Sequence, residues 1–133
     1  IRTALDSRAA GAAAVQAGDL GSTFGGGPLA MAAMLATLAV IQEEALGTRA
    51  QQVAMRLRKS LPGSVVEAVI GEGLLLGVRT RGPAAPLKRH LFERRLLVGA
   101  SGDPAVLRLM PCLNISDDAV DALETAVNEF QKG

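Results

Sequence analysis

The sequence predicts an α/β fold: a small, mainly antiparallel sheet with helices on one face, preceded by a long buried helix. Three observations carry this. Segments of helical period and short β-rich apolar runs follow one another as helices, then β-β-α-β-β-α. Apolar residues make up 49% of the 133 positions against 20% charged, enough to close a core. Aromatics are nearly absent, with three Phe and no Trp or Tyr, so alanine and aliphatic side chains must do the packing.

The start, IRTALDSRAAGAAAVQAG, is alanine-rich and predicts a helix over Thr3–Gln16. It begins at Ile1 rather than Met and has no partner strand of its own, which reads as the remnant of a longer chain. Pro28 then suits a first helical position, where its missing N–H costs nothing and its φ is already set. The helix it opens should run to about Ala45. Leu29, Met31, Met34, Leu35, Leu38, Val40 and Ile41 occupy nearly every face, so this helix is expected to be covered on all sides. Gln42, Glu43 and Glu44 restore polarity, and Gly47 is expected to end it. A second, amphipathic helix over Thr48–Leu61 repeats Val53, Leu57 and Leu61 at four-residue steps, with Arg49, Arg56 and Lys59 outward. Pro62-Gly63 stops it, and composition shifts there.

SVVEAVI and GLLLGVRT predict two antiparallel strands joined by Gly71-Glu72-Gly73. Leu74–Val78 is apolar on both faces, as an internal strand is. RGPAAP is a linker, and LKRHLFERRL a short helix with Leu87, Leu91 and Phe92 inward. LLVGA and AVLRLMP are strands around the turn SGDP, the second ended by Pro111. In the last helix Ser116 caps the N-terminus, Asp117 and Asp118 suit the dipole, and Val120, Leu123, Val127 and Phe130 form one stripe.

Composition excludes several functions. A net charge of +1 creates no global field for nucleic acid. The locally basic middle (Arg79, Arg81, Lys88, Arg89, Arg94, Arg95) has no aromatics to stack on bases and reads as a solvated face. A single cysteine, Cys112, forms no internal disulfide and fits a reducing, cytoplasmic setting. A single histidine, His90, makes no metal cluster; both residues read as structural. The longest apolar run, Pro28–Ile41, is too short for a bilayer, so no membrane partner is expected.

The stretch GDLGSTFGGGPLAMAAML is the richest in chemistry. A helix start exposes unpaired N–H groups and a partial positive charge, and Ser22 and Thr23 add hydroxyls ahead of the glycines. These are the parts of an anion cradle; equally, the glycines could serve only to squeeze the helix start against another backbone. No Lys-Ser/Thr follows, so this is no Walker loop, and glycines at 21, 25, 26 and 27 do not match the dinucleotide fingerprint. No nucleophile–base pair or metal set is visible elsewhere.

GDLGSTFGGGPLAMAA closely resembles the segment of class III pyridoxal-phosphate aminotransferases that commonly reads G-(S/T)-T-(F/Y)-G-G-N-P-L-A. VEAVIGEGLLLGV resembles the family's strand pair, and LLVGASGDPAVLRLMPCLNISDDAVD its closing segment. Three motifs in order over Gly18–Asp121 point to the acetylornithine/ornithine aminotransferase branch.

The resemblance implies that Thr23, helped by Ser22, contacts the pyridoxal phosphate of the opposite subunit in a homodimer. It implies that Arg108 lies on the substrate side, with an amino acid and a 2-oxo acid as substrates; the alternative for Arg108 is a surface arginine on an edge strand. It divides the chain into a large-domain remnant and phosphate loop (1–27), connecting helices (28–61) and a C-terminal α/β small domain of fold type I (62–133). Gly27 replaces the usual asparagine, and Ile70 replaces a common arginine. The Schiff-base lysine of the family belongs upstream of the loop, yet the lysines here are Lys59, Lys88 and Lys132, all after it. The expectation is a C-terminal aminotransferase fragment that alone binds no cofactor and is inactive; a non-catalytic interaction module derived from such a domain is the alternative.

Overall fold

The structure, a computed structural model, describes Gly21 and residues 25–132. The helix expected over Thr3–Gln16 lies outside the described residues, as do Ser22 and Thr23. The chain divides into two compact units, Ile1–Leu38 and Ala39–Gly133.

A turn at Gly25–Gly26, with Gly26 at φ 80°, leads to helix α1, Pro28–Glu43, which begins in the first unit and ends in the second. The helix starts where proline chemistry predicts: the Met31 N–H donates to the Gly27 carbonyl at 3.0 Å. Gly27, in place of the usual asparagine, therefore still closes the first turn through its backbone. One expectation needs correction. No residue of α1 is buried, and Leu29 and Leu35 are 86% and 63% exposed. An all-round apolar pattern calls for cover, and no residue of the core cluster lies on α1.

The break after α1 also falls earlier than Gly47 suggests. Ala45 adopts the left-handed conformation (φ 49°), and α2, Leu46–Ser60, begins at once with Gly47 inside its first turn. Leu46, Ala50, Val53, Ala54 and Leu57 form its buried stripe. Strands β1, Val66–Glu72, and β2, Leu75–Thr80, form the expected hairpin. Its turn is Gly73-Leu74 and not Gly71-Glu72-Gly73, because Gly71 and Glu72 still pair with Leu76 and Leu75. Gly73 takes positive φ in the turn and Gly71 at the end of β1, where a Cβ would overlap the Leu75 carbonyl.

Helix α3, Ala85–Glu93, buries Leu87 and Leu91. Phe92 points outward instead, at 67% exposure, because Leu87 and Leu91 already fill the inward face at a four-residue step. Two short strands follow, β3, Gly99–Ala100, and β4, Val106–Leu109, and then helix α4, Asp117–Lys132. Ser116 caps α4 as expected, its Oγ accepting from the Ala119 N–H at 3.3 Å. The LLVGA segment contributes only two ladder residues. These are Gly99 and Ala100, paired with Arg108 and Leu107.

The sheet order is β1-β2-β4-β3, all antiparallel, so β2 is internal as predicted. Leu76, Val78, Leu107 and Leu109 alternate onto one face and share a single core with α2, α3 and α4. Leu61, Leu87, Leu91, Val66, Val120 and Val127 are its most enclosed side chains.

Polar ties fix the helices over that core. Arg49 and Arg56 do not point to solvent as expected but reach across to α4. Arg56 Nε donates to Glu124 Oε1 at 3.0 Å and Arg49 pairs with Asp117 at 2.7 Å; Arg56 also pairs with Asp121. Ser60 Oγ donates to the same Glu124 oxygen at 2.6 Å. His90 serves packing rather than chemistry. Its Nε2–H donates to the Ala126 carbonyl at 3.0 Å, which leaves Nδ1 to accept from Arg94, and its ring meets Phe130 edge-on at 5.0 Å.

Candidate functional site

Arg108 is the one site residue of the sequence analysis that the structure describes. Its neighbours in β4, Leu107 and Leu109, are buried, so the pleat turns Arg108 to the opposite face, where it is exposed. β4 lies between β2 and β3, so Arg108 is not on an edge strand. Its cross-strand partners are Gly77 on one side and Gly99 on the other. An arginine flanked by two residues without side chains stands over bare backbone.

The two flanks differ. Above Gly77 the space is filled: a Cβ there would meet Val106 Cγ1 at 3.0 Å and Ile70 Cγ1 at 3.1 Å. Ile70 thus stands on this face where the family pattern has arginine, and covers Gly77 with hydrocarbon. Above Gly99 it is Arg108 itself that fills the space. A Cβ at Gly99 would lie 3.1 Å from Arg108 Nε and 3.4 Å from Arg108 Cβ. The arginine side chain therefore crosses the backbone of Gly99. No carboxylate pairs with its guanidinium among the described residues, in contrast to Arg49, Arg56 and Arg94. A planar cation held without an internal partner can receive a carboxylate through two parallel N–H donors.

Beside this strand end lies an apolar groove of about 500 Å³, to which Gly99, Arg108, Met110, Ile115 and Leu123 contribute. Sequence reading missed both the groove and the glycine flanks. The spacing of Gly77, Gly99 and Arg108 along the chain shows nothing; only the ladder register brings them into one row.

The carboxylates of the α2–α4 tie take no part in this face. The hydrogen bond from Arg49 holds Asp117 below the usual carboxylate range. Burial pushes the Glu124 carboxyl up, but hydrogen bonds from Arg56 and Ser60 outweigh it and leave it low. Hydrogen bonds to Glu124 and Asp121 hold the Arg56 guanidinium above its ordinary value. These groups are locked in their charged forms, which suits a structural tie and not proton transfer.

Of the glycine loop, the structure describes Gly21 and Gly25–Gly27. Nothing stands within 4 Å of where a Cβ would sit at Gly21 or Gly26, and the first intrahelical bond of α1 begins only at Met31. The N–H groups of Leu29 and Ala30 thus precede the helical ladder, as phosphate binding at a helix start requires. Among the described residues no His, Cys, Asp and Glu cluster could hold a metal ion, and no single helix is long and apolar enough to cross a membrane.

Comparison with known proteins agrees with this architecture. The family profile described as Aminotransferase class-III matches residues 3–131. The chain is 41% identical over 116 residues to an acetylornithine aminotransferase of Methanosarcina acetivorans, covering 82% of this chain and 29% of the relative. It is 42% identical to an acetylornithine aminotransferase of Archaeoglobus fulgidus, covering 86% and 30%. Among solved structures, the acetylornithine aminotransferase of Elizabethkingia anophelis superposes with a TM-score of 0.70 at 32% identity, over 87% of this chain and 32% of that one. The ornithine aminotransferase of Toxoplasma gondii gives a TM-score of 0.71 at 27% identity, over 89% and 31%. The chain therefore spans about 30% of the length of the curated relatives it matches. With the profile match running over nearly all of its length, this chain belongs to the class-III aminotransferase family.

Proposed function

We propose that this chain is the C-terminal portion of a pyridoxal-phosphate-dependent aminotransferase that moves an amino group from acetylornithine or a similar amino acid to 2-oxoglutarate. The observation that carries the reading is Arg108: a guanidinium on an interior strand, unpaired with any carboxylate among the described residues, within a fold shared with acetylornithine and ornithine aminotransferases. Arg108 binds and orients a substrate carboxylate. Thr23 and Ser22, with the amides at the start of α1, hold the cofactor phosphate of the opposite subunit in a cytoplasmic homodimer. Pyridoxal phosphate, when bound, supplies an electron sink for the carbanion formed at the amino-bearing carbon. Residues 1–27 then belong to the phosphate-contacting part, 28–61 to connecting helices and 62–133 to the small domain. The lysine that carries the cofactor and moves the proton is none of Lys59, Lys88 and Lys132, so the 133 residues alone are inactive.

The test uses the full-length protein that carries this segment. Thr23→Val should weaken cofactor binding roughly tenfold, read from the absorbance of bound cofactor, by removing one charge-assisted hydrogen bond. Arg108→Ala should raise KM for 2-oxoglutarate and leave cofactor binding as it was. Unchanged cofactor binding in the first variant and unchanged KM in the second would overturn the reading. A second reading, a non-catalytic interaction module, is favoured by one observation, the exposed apolar residues of α1. A full-length gene product with no lysine ahead of the glycine loop would decide for it.

A further inference from the structure

We infer that Gly99 is a positioning residue for Arg108: its missing side chain selects the direction in which the guanidinium lies and so sets the affinity for a substrate carboxylate. The inference rests on the reading of Arg108 as a carboxylate-binding group.

The argument is steric and runs in both directions along the row. Toward β2 the Arg108 side chain has no room, because Val106 Cγ1 and Ile70 Cγ1 close over Gly77. Toward β3 it has room only because residue 99 is glycine. Arg108 Nε lies 3.1 Å from the point where a Cβ would stand, closer than ordinary van der Waals contact, and the Arg108 carbonyl lies 3.3 Å from the same point. The carbonyl belongs to the ladder and cannot give way, so a methyl at residue 99 must push the arginine side chain. Gly99 is not in the left-handed region, so alanine brings no φ strain, and its tightest contact is with the Arg108 side chain. A valine adds two branches on the same carbon and closes the path over β3. Two-point recognition of a carboxylate tolerates displacement of only about 0.5 Å. The residue at 99 therefore acts through Arg108, without touching substrate, as a limit on which arginine rotamer the strand can hold.

The experiment measures, in the full-length enzyme, KM and kcat for the 2-oxo acid and the competitive inhibition constant of glutarate, a dicarboxylate that cannot react. Gly99→Ala should raise both KM and the glutarate constant about threefold and Gly99→Val about tenfold or more, with kcat within about twofold, since the lost interaction is a binding one. In an Arg108→Ala background neither substitution should add a further change. Three results overturn the proposal. If Arg108→Ala weakens glutarate binding but Gly99→Ala and Gly99→Val do not, the positioning role is wrong and the reading of Arg108 stands. If Gly99→Val weakens binding equally with and without Arg108, the glycine acts through strand packing instead. If Arg108→Ala itself leaves glutarate binding unchanged, the underlying reading falls. The milder alanine variant keeps the test decisive if valine disturbs folding.

Discussion

Gln131 Oε1 accepts from the N–H groups of Val65 and Val66, both at 3.1 Å, while its Nε2 donates to the Leu61 carbonyl at 3.1 Å. One side chain in the last turn of α4 thereby satisfies three backbone groups where α2 hands over to β1. Gly63 lies directly against the carboxamide, where any side chain would collide with it. Gln131→Ala leaves these groups without partners, next to a Val66 that is wholly enclosed. The expected cost is about 2 kcal/mol, measured by urea unfolding. Gln131→Glu keeps the acceptor for Val65 and Val66 but sets a carboxylate oxygen against the Leu61 carbonyl, so it too should destabilise.

The α2–α4 tie predicts an acid limb in stability. The carboxyls of Glu124 and Asp117 are held below their ordinary values in the folded state. A depressed carboxyl contributes stability that is fully present above its unfolded value, about 4.3 for Glu and 3.9 for Asp, and is lost as pH falls through the lower folded value. Stability should therefore be flat near neutrality and decline below about pH 5. Glu124→Gln should cost about 1 kcal/mol at pH 7 and make the acid decline shallower, because one of the linked groups is gone. Unfolding midpoints across pH 3 to 7 for both proteins provide the measurement.

How far the fold was legible depended on whether a signal was local. The stripe Val53, Leu57 and Leu61 and the Ser116 cap are short-range patterns and appear where the sequence places them; the hairpin between β1 and β2 does too, with its turn shifted to Gly73-Leu74. The apolar surround of α1 is equally legible as a demand for cover, but sequence cannot say that no residue of α1 is buried among the described residues. β3 is only two residues long, because strand length depends on pairing with a distant partner that a local pattern does not show. The site was half legible for the same reason. The motif around Arg108 could be matched by eye, but its neighbours Gly77 and Gly99 lie 31 and 9 positions away and meet it only through register. Likewise Arg56 reads as a surface charge on its own helix; its carboxylate partners lie on α4, more than 60 positions on.

Two leucines mark the difference between the core and the exposed apolar residues of α1. Leu91 on α3 is 1% exposed and belongs to the core, whereas Leu35 on α1 is 63% exposed. Removing a buried leucine side chain loses its transfer free energy and leaves a cavity, so Leu91→Ala should cost about 3 kcal/mol in the 133-residue chain. Leu35→Ala in the same chain should change stability by less than about 0.5 kcal/mol, since most of the side chain is exposed and alanine is the better helix former. In the full-length protein the two should converge, because a helix apolar on all sides gains its cover there and Leu35 becomes a packed residue. Urea unfolding of both variants in both lengths tests this. A Leu35→Ala that remains silent in the full-length protein would show that α1 stays bare, and would remove the packing argument for its apolar surround.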